Sequence, residues 1–232
     1  MFSGLLPSEM EKRHPDWWKN DEDEGGKNMH EEDFLNAQIK RLGKDIKMSY
    51  NKITNFAAGK KLSENMSNLM NNKLNVIVYN FVDMLSHSRT ESEMIRELAD
   101  DEPAYRSLTF SWFEHSPLLE MVKFIASKKC KLIITTDHGT VHVKEPTKVV
   151  GDKSVNTNLR YKQGRALDYN PKEVFEIKNP ADAFLPKQNV SSRFIFARED
   201  KFFAYPNNFN HYVQYYKNTF QHGGVSLEEM II

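Results

Sequence analysis

The chain has 232 residues, 39% hydrophobic and 28% charged, which is enough apolar material to bury a core of domain size. Its 32 basic residues balance its 32 acidic ones, so no global field draws it to nucleic acid or acidic membrane, and any basic recognition surface has to be local. A single cysteine, Cys130, excludes an internal disulfide framework and suits a reducing compartment; with no run of ~18 apolar residues and no signal-peptide pattern, the expected location is the cytoplasm.

In chain order, residues 7–31, "PSEMEKRHPDWWKNDEDEGGKNMHE", read as a charged surface loop that the Trp17-Trp18 pair can pin down. "EEDFLNAQIKRLG" spaces Phe34, Ile39 and Leu42 for a helix that Gly43 stops. "KLSENMSNLMNNKL" predicts a second helix, in which Leu62, Met66, Leu69 and Met70 form a core or interface stripe. The β-branched and aromatic run of residues 75–83, "NVIVYNFVD", predicts a buried strand. Residues 90–129 read as helix in two pieces broken at Pro103, and "SPLLEMVKFIASKK" is the amphipathic piece leading into a strand at residues 132–136. Strand, helix, strand is the βαβ pattern, so the expected fold class is α/β, a mostly parallel sheet flanked by helices on both faces.

Residues 143–191 read as a loop-rich insertion, with "NTNLRYKQGR" a concentrated basic-aromatic patch. "SSRFIFAREDKFFAYP" predicts a β-hairpin, Arg193 to Arg198 and Lys201 to Tyr205 around a Glu-Asp turn. Last, His222-Gly223-Gly224 precedes Ser226-x-x-Glu229, the capping-box pattern that opens a helix.

The chemistry-bearing signals cluster at the ends of the two expected parallel strands, where ligands gather in open α/β sheets. The first strand ends at Asp83, with His87 four residues on, a spacing that sets both on one face if helix begins there. The second ends at Asp137-His138-Gly139, where adjacent side chains can converge and glycine relieves the turn. Carboxylate oxygen with imidazole nitrogen suits Zn²⁺ or another divalent ion such as Mn²⁺, and two such pairs suggest two ions able to grip a phosphoryl group. His222 on its glycine turn is the natural extra ligand. Each signal also has a plain structural alternative: a same-face pair or helix cap for Asp83 and His87, a strand-ending turn for Asp137-His138-Gly139, and punctuation before a helix for His222. His142 can share a side with His138 along an extended segment, whereas His14, His30, His115 and His211 carry no chemical expectation. Arg160, Lys162 and Arg165, with Tyr161 as a stacking surface, suit either a phosphodiester substrate or a solvated basic loop.

The order Asp-x-x-x-His, Asp-His-Gly after a strand, and His-Gly-Gly before a capped helix resembles the metal-site order of the alkaline phosphatase superfamily. Within it the chain is similar to the PglZ domain, and "FSGLLPSEMEKRHPDWWKN", "TTDHGT" and "FQHGGVSLEEMI" resemble the output domain of PorX-type response regulators of Bacteroidetes. The resemblance covers essentially the whole chain. It implies an alkaline-phosphatase-like core with two zinc ions, Asp83, His87 and His222 on one, and Asp137 and His138 as two ligands of the other. Its remaining ligands, an Asp and the nucleophilic Thr or Ser, belong before the "FSGLLP" stretch; neither Ser3 nor Thr135 or Thr136 matches them. The resemblance thus implies a truncated chain, without a receiver domain and with little turnover alone. The implied role is a zinc-dependent phosphodiesterase-type effector of a two-component regulator of type IX secretion, acting on phosphodiesters such as small nucleotides and able to form a homodimer. Two other readings compete with it. One is a regulatory binding module that senses a nucleotide or docks a sigma factor or secretion-system component, and the other is a phosphomutase-like enzyme.

Overall fold

In the computed structural model, which describes residues 1–20, 28–151, 156–187 and 189–230 apart from the side chains at 86, 87 and 89–91, the chain forms two compact units. One comprises Met1–Arg41 with Thr136–Ile232, the other Leu42–Thr135.

The first unit opens with α1, Pro7–Arg13, and α2, Glu31–Arg41. Pro7 starts α1 where its missing N–H goes unneeded, and the Glu9 carboxylate accepts the Leu6 N–H at 3.3 Å. In α2, acidic Glu31, Glu32 and Asp33 occupy the first turn and basic Lys40 and Arg41 the last, matching the helix dipole. Phe34 and Leu35 are its buried side chains. Trp17 anchors the charged segment: its ring stacks on His14 at 4.5 Å and on His30 at 6.1 Å, and meets Phe34 edge-on at 5.5 Å. The expected loop therefore contains α1 and an aromatic anchor; residues 21–27 lie outside the described residues.

The second unit contains β1 (Met48–Ile53), α3 (Phe56–Glu64), α4 (Met66–Leu69) and β2 (Leu74–Tyr79). Strands β1 and β2 pair in parallel, Met48 opposite Leu74 and Ile53 opposite Tyr79. A parallel pair needs a crossover, and α3 with α4 supplies it, so a βαβ unit exists one element earlier than expected. Polar Ser49, Asn51 and Lys52 hid β1 from a pattern search, whereas Ser49 uses its polarity to donate to Asn75 across the pair at 2.7 Å. Ile53, Met66 and Met121 form the buried centre, with Leu62, Leu69, Ile77 and Phe124 packed against it. Four helices follow: α5 (Phe81–Glu91), α6 (Glu93–Leu98), α7 (Glu102–Glu114) and α8 (Pro117–Ala126). Pro103 opens α7 instead of breaking a helix, because it sits in the first turn behind Asp101, whose carboxylate caps Ala104 N–H at 2.8 Å. Phe81 stacks on Trp112 at 3.7 Å, which fixes the start of α5.

The expected strand at 132–136 is absent: these residues carry no ladder, and Ile133 and Ile134 are 83% and 75% exposed. An apolar, β-branched run becomes a strand only when a neighbouring strand pairs with it, and among the described residues this run joins no sheet.

Back in the first unit, the chain forms β3 (Val141–His142), β4 (Glu145–Val150), β5 (Tyr161–Gly164), β6 (Asp168–Tyr169) and β7 (Val174–Ile177). Then come β8 (Arg193–Ala197), β9 (Lys201–Ala204), α9 (Phe209–Tyr216), β10 (Phe220–Gln221) and α10 (Leu227–Met230). The stretch expected to be a loop-rich insertion thus carries strands; residues 152–155 and 188 lie outside the described residues. The hairpin is also redrawn. Strand β8 runs antiparallel between β5 and β7, and β9 runs parallel to β4, with β6 on the far side of β4. Consecutive Phe202 and Phe203 explain this, because both are buried, one in each of two separate cores, and a lone hairpin covers only one face. Glu199, at φ 49°, turns the chain from one sheet into the other. The α/β class holds, but the sheets are small and mixed, in place of one mostly parallel sheet flanked on both faces. No helix among the described residues is long and apolar enough to cross a membrane.

Lys162 on β5 is 1% exposed, donates from Nζ to Asn156 O at 2.7 Å and sits 4.8 Å above the Tyr205 ring. Burial lowers its pKa from 10.5 to about 8. Because the folded-state value is the lower one, the fold bears the full cost of the charge below pH 8, and loses that cost as pH rises toward 10.5. Lys162→Met is expected to raise stability at pH 7 by about 1–3 kcal/mol, the lost hydrogen bond offsetting part of the gain. Urea unfolding at pH 7 and at pH 10.5 checks this: the gap between the two proteins should narrow at the higher pH. A gap independent of pH would exclude charge burial as its source.

Candidate metal centre

The Asp137-His138-Gly139 turn is held by its own neighbours. Thr136 Oγ1 donates to His138 O at 2.8 Å, and Gly139 N donates to Glu229 O at 3.2 Å. A Cβ at Gly139 would run into the carbonyl of Glu228, so glycine is what lets α10 approach this closely. His138 Nδ1 lies 3.0 Å from Gly139 O. A carbonyl only accepts, so in the neutral ring the proton sits on Nδ1 and the lone pair on Nε2. That Nε2 is 3.8 Å from Asp137 Oδ1.

The second turn follows β10, which pairs antiparallel with β3, Phe220 opposite His142. Gly223 adopts φ 105°, a conformation other residues rarely take, and a Cβ there would meet the Tyr161 ring at 3.0 Å. The result is that His222 stacks on His138, ring centroids 3.8 Å apart and planes 15° from parallel. Asp137 thus lies beside His138, and His138 stacks on His222. With metal bonds of ~2.0–2.2 Å, two ligand atoms on one tetrahedral ion lie roughly 3.3 Å apart, so the Asp137–His138 pair is close to the spacing a shared ion requires. Nitrogen with carboxylate oxygen is the donor chemistry of Zn²⁺ and neighbouring divalent ions.

Asp83 falls in the first turn of α5, and His87 lies four residues further along the same helix, so the helical condition for their sharing a face is met. The side chain of His87 lies outside the described residues.

Two residues of the basic-aromatic patch, Arg160 and Lys162, face inward. Arg160, 0% exposed, forms a bidentate ion pair with buried Glu229: Nη2 donates to Oε1 and Nε to Oε2, the latter at 3.2 Å. Its Nη1 donates to Lys201 O, and its Nη2 also reaches Ser226 Oγ at 2.7 Å. Glu229 accepts two backbone N–H groups besides, from Ser226 at 3.0 Å and Gly224 at 2.8 Å. The capping box is therefore present on its glutamate side, while Ser226 Oγ donates to Glu199 O at 2.6 Å instead. Arg160 and Lys162, expected as substrate contacts, are both buried: the guanidinium is satisfied by a carboxylate, a carbonyl and a hydroxyl, and the ammonium lies over Tyr205. Arg165 is exposed, and Tyr161 is half-buried against Gly223. Glu229 was legible only as a cap, because nothing local distinguishes a glutamate that caps from one that also pairs with a residue far away in the chain.

His142 belongs to the β3–β10 ladder, donating Nε2–H to Asn218 O at 3.0 Å and stacking on Phe220 at 5.0 Å. Ser3 is buried, its Oγ accepting Leu5 N–H at 3.2 Å. His115 caps the end of α7 through Ser111 O at 2.8 Å, and His211 stacks on Tyr215 at 6.2 Å.

A family model described as the BREX system PglZ alkaline phosphatase-like domain matches residues 1–232. None of the curated proteins compared matches the chain.

Two glycines separate strain from crowding. Gly43 has φ 65° with nothing near its absent Cβ, whereas a Cβ at Gly224 would meet both Ala197 O and Arg160 Nη2 at 2.7 Å. Gly43→Ala is expected to cost about 1 kcal/mol of backbone strain, and Gly224→Ala about 2–3 kcal/mol, since backbone and a satisfied guanidinium have to shift. Thermal or urea denaturation of both variants provides the check; equal costs would show that close approach at Gly224 is unimportant.

Proposed function

The chain belongs to the PglZ family of alkaline phosphatase-like domains, whose role is of the phosphoesterase type, and from that premise we propose that it is a divalent-metal-dependent phosphodiesterase. One observation supports this most: His138 and His222, far apart in sequence, stack at 3.8 Å on turns built around Gly139 and Gly223-Gly224, with Asp137 beside His138. Asp137, His138 and His222 would hold the metal. Asp83 and His87 are candidate ligands in their own right, on their helical spacing and their match to the superfamily order. Zn²⁺ is the ion that this nitrogen and carboxylate set suits best. When bound, it supplies Lewis acidity to a phosphoryl oxygen.

The chain's own contribution is placement. The Gly139 carbonyl fixes the His138 tautomer so that Nε2 offers its lone pair without reorganising. Among possible substrates, phosphodiesters such as small nucleotides fit the resemblance to PorX-type output domains, which also supports an effector role in a two-component regulator of type IX secretion.

In the native protein that carries this domain, His138→Ala and His222→Ala should each lose bound metal and lower kcat/KM on bis-p-nitrophenyl phosphate by about 100-fold or more, since even outer-shell changes cost 10–100-fold. Elemental analysis after dialysis, beside the hydrolysis assay, tests it. Unchanged metal stoichiometry in both variants would return these histidines to a structural role, and metal and nucleotide binding without turnover would favour a sensing module.

A further inference from the structure

We propose that Arg160 and Glu229 are positioning residues that set the spacing of the two imidazoles, an assignment that rests on reading His138 and His222 as a metal centre. Glu229 holds both histidine turns at once. Its Oε2 accepts Gly224 N–H at 2.8 Å, two residues from His222, and its main-chain carbonyl accepts Gly139 N–H at 3.2 Å, one residue from His138. The distance between the turns is therefore spanned by the two ends of a single residue. Arg160 keeps that residue in place. Its fork grips both carboxylate oxygens and is itself tied to Lys201 O and Ser226 Oγ, so the carboxylate can neither rotate nor withdraw. Backbone bonds close the knot: Ala197 N–H donates to Arg160 O at 2.7 Å, and Val225 N–H donates to Ala197 O at 3.1 Å.

An apolar pair of similar volume would pack as well, and buried ion pairs are often neutral or costly compared with one. No apolar side chain accepts the N–H groups of Gly224 and Ser226, however. Placement of the glycine turn is what the charged pair provides and a hydrophobic pair does not.

The test uses Glu229→Gln, which removes one acceptor oxygen, and Arg160→Lys, which keeps the charge but loses the fork; Arg160→Lys carries the test if Glu229→Gln does not fold. Folding is read from the amide NMR spectrum. Two readouts follow: the cross-relaxation between the His138 and His222 ring protons in metal-free protein, and Zn²⁺ affinity by competition with a chelating dye. The folded variants should weaken or lose the ring–ring signal, and Zn²⁺ affinity should fall about 10–100-fold in Glu229→Gln and less in Arg160→Lys. A folded variant that keeps the ring–ring signal, with affinity within about twofold of the parent, overturns the proposal, twofold being far short of the outer-shell effect. The ring–ring signal separates the two readings. If it is lost in the variants while the parent binds no Zn²⁺, the positioning role stands and the metal reading falls.

Discussion

The buried ion pair between Arg160 and Glu229 is the constraint that ties together the two histidine turns of the first unit. Both side chains are withdrawn from water, and each is almost wholly satisfied by the other and by backbone groups. Leaving either partner alone in that position would cost about 3–5 kcal/mol, a large share of the stability of an ordinary domain. The pair joins the entry to β5, the end of β8, the start of β9, the glycine turn and α10, segments that carry little regular structure of their own. Short ladders such as β3–β10 and a four-residue α10 do not hold a site by themselves; a shared buried charge pair lets them act as one body.

Around that pair, glycine is used where another residue would block approach. Gly139 lets the chain meet the backbone of α10, and Gly224 leaves room for the Arg160 guanidinium and the Ala197 carbonyl. Gly223 has the different task of a positive φ. These three positions explain why imidazoles on separate turns come to lie face to face. The imidazoles themselves are ordinary, and what is unusual is how closely the main chain lets them converge.

Several elements were legible because local physics decides them. The α2 helix, with its charge gradient and apolar stripe, lies where its periodicity puts it, and α8 likewise. Strand β2 was legible too, although its predicted end proved to be the first turn of α5, since Phe81 and Val82 suit either state. Partnership was not legible. "LIITT" reads as a buried strand and is exposed, whereas "MSYNKI" reads as nothing in particular and pairs with β2. "RFIFA" and "KFFA" are strands as expected, yet they join different sheets. A strand's own residues set its propensity, while its neighbours set whether it is paired and with whom.

The same division runs through the candidate site. Sequence alone marked His138 and His222 by their glycine-bearing turns, Asp137 by adjacency, and Asp83 with His87 by their four-residue spacing, because turn chemistry and helical period are local properties. It also placed Arg160 in a basic cluster and Glu229 in a capping box, both correct as local descriptions. Tertiary structure decided that Arg160 turns inward to meet Glu229 and that His138 stacks on His222. Both outcomes depend on segments distant in the chain burying polar groups together, and the cost of leaving such a group unpaired arises only once the fold has removed it from water.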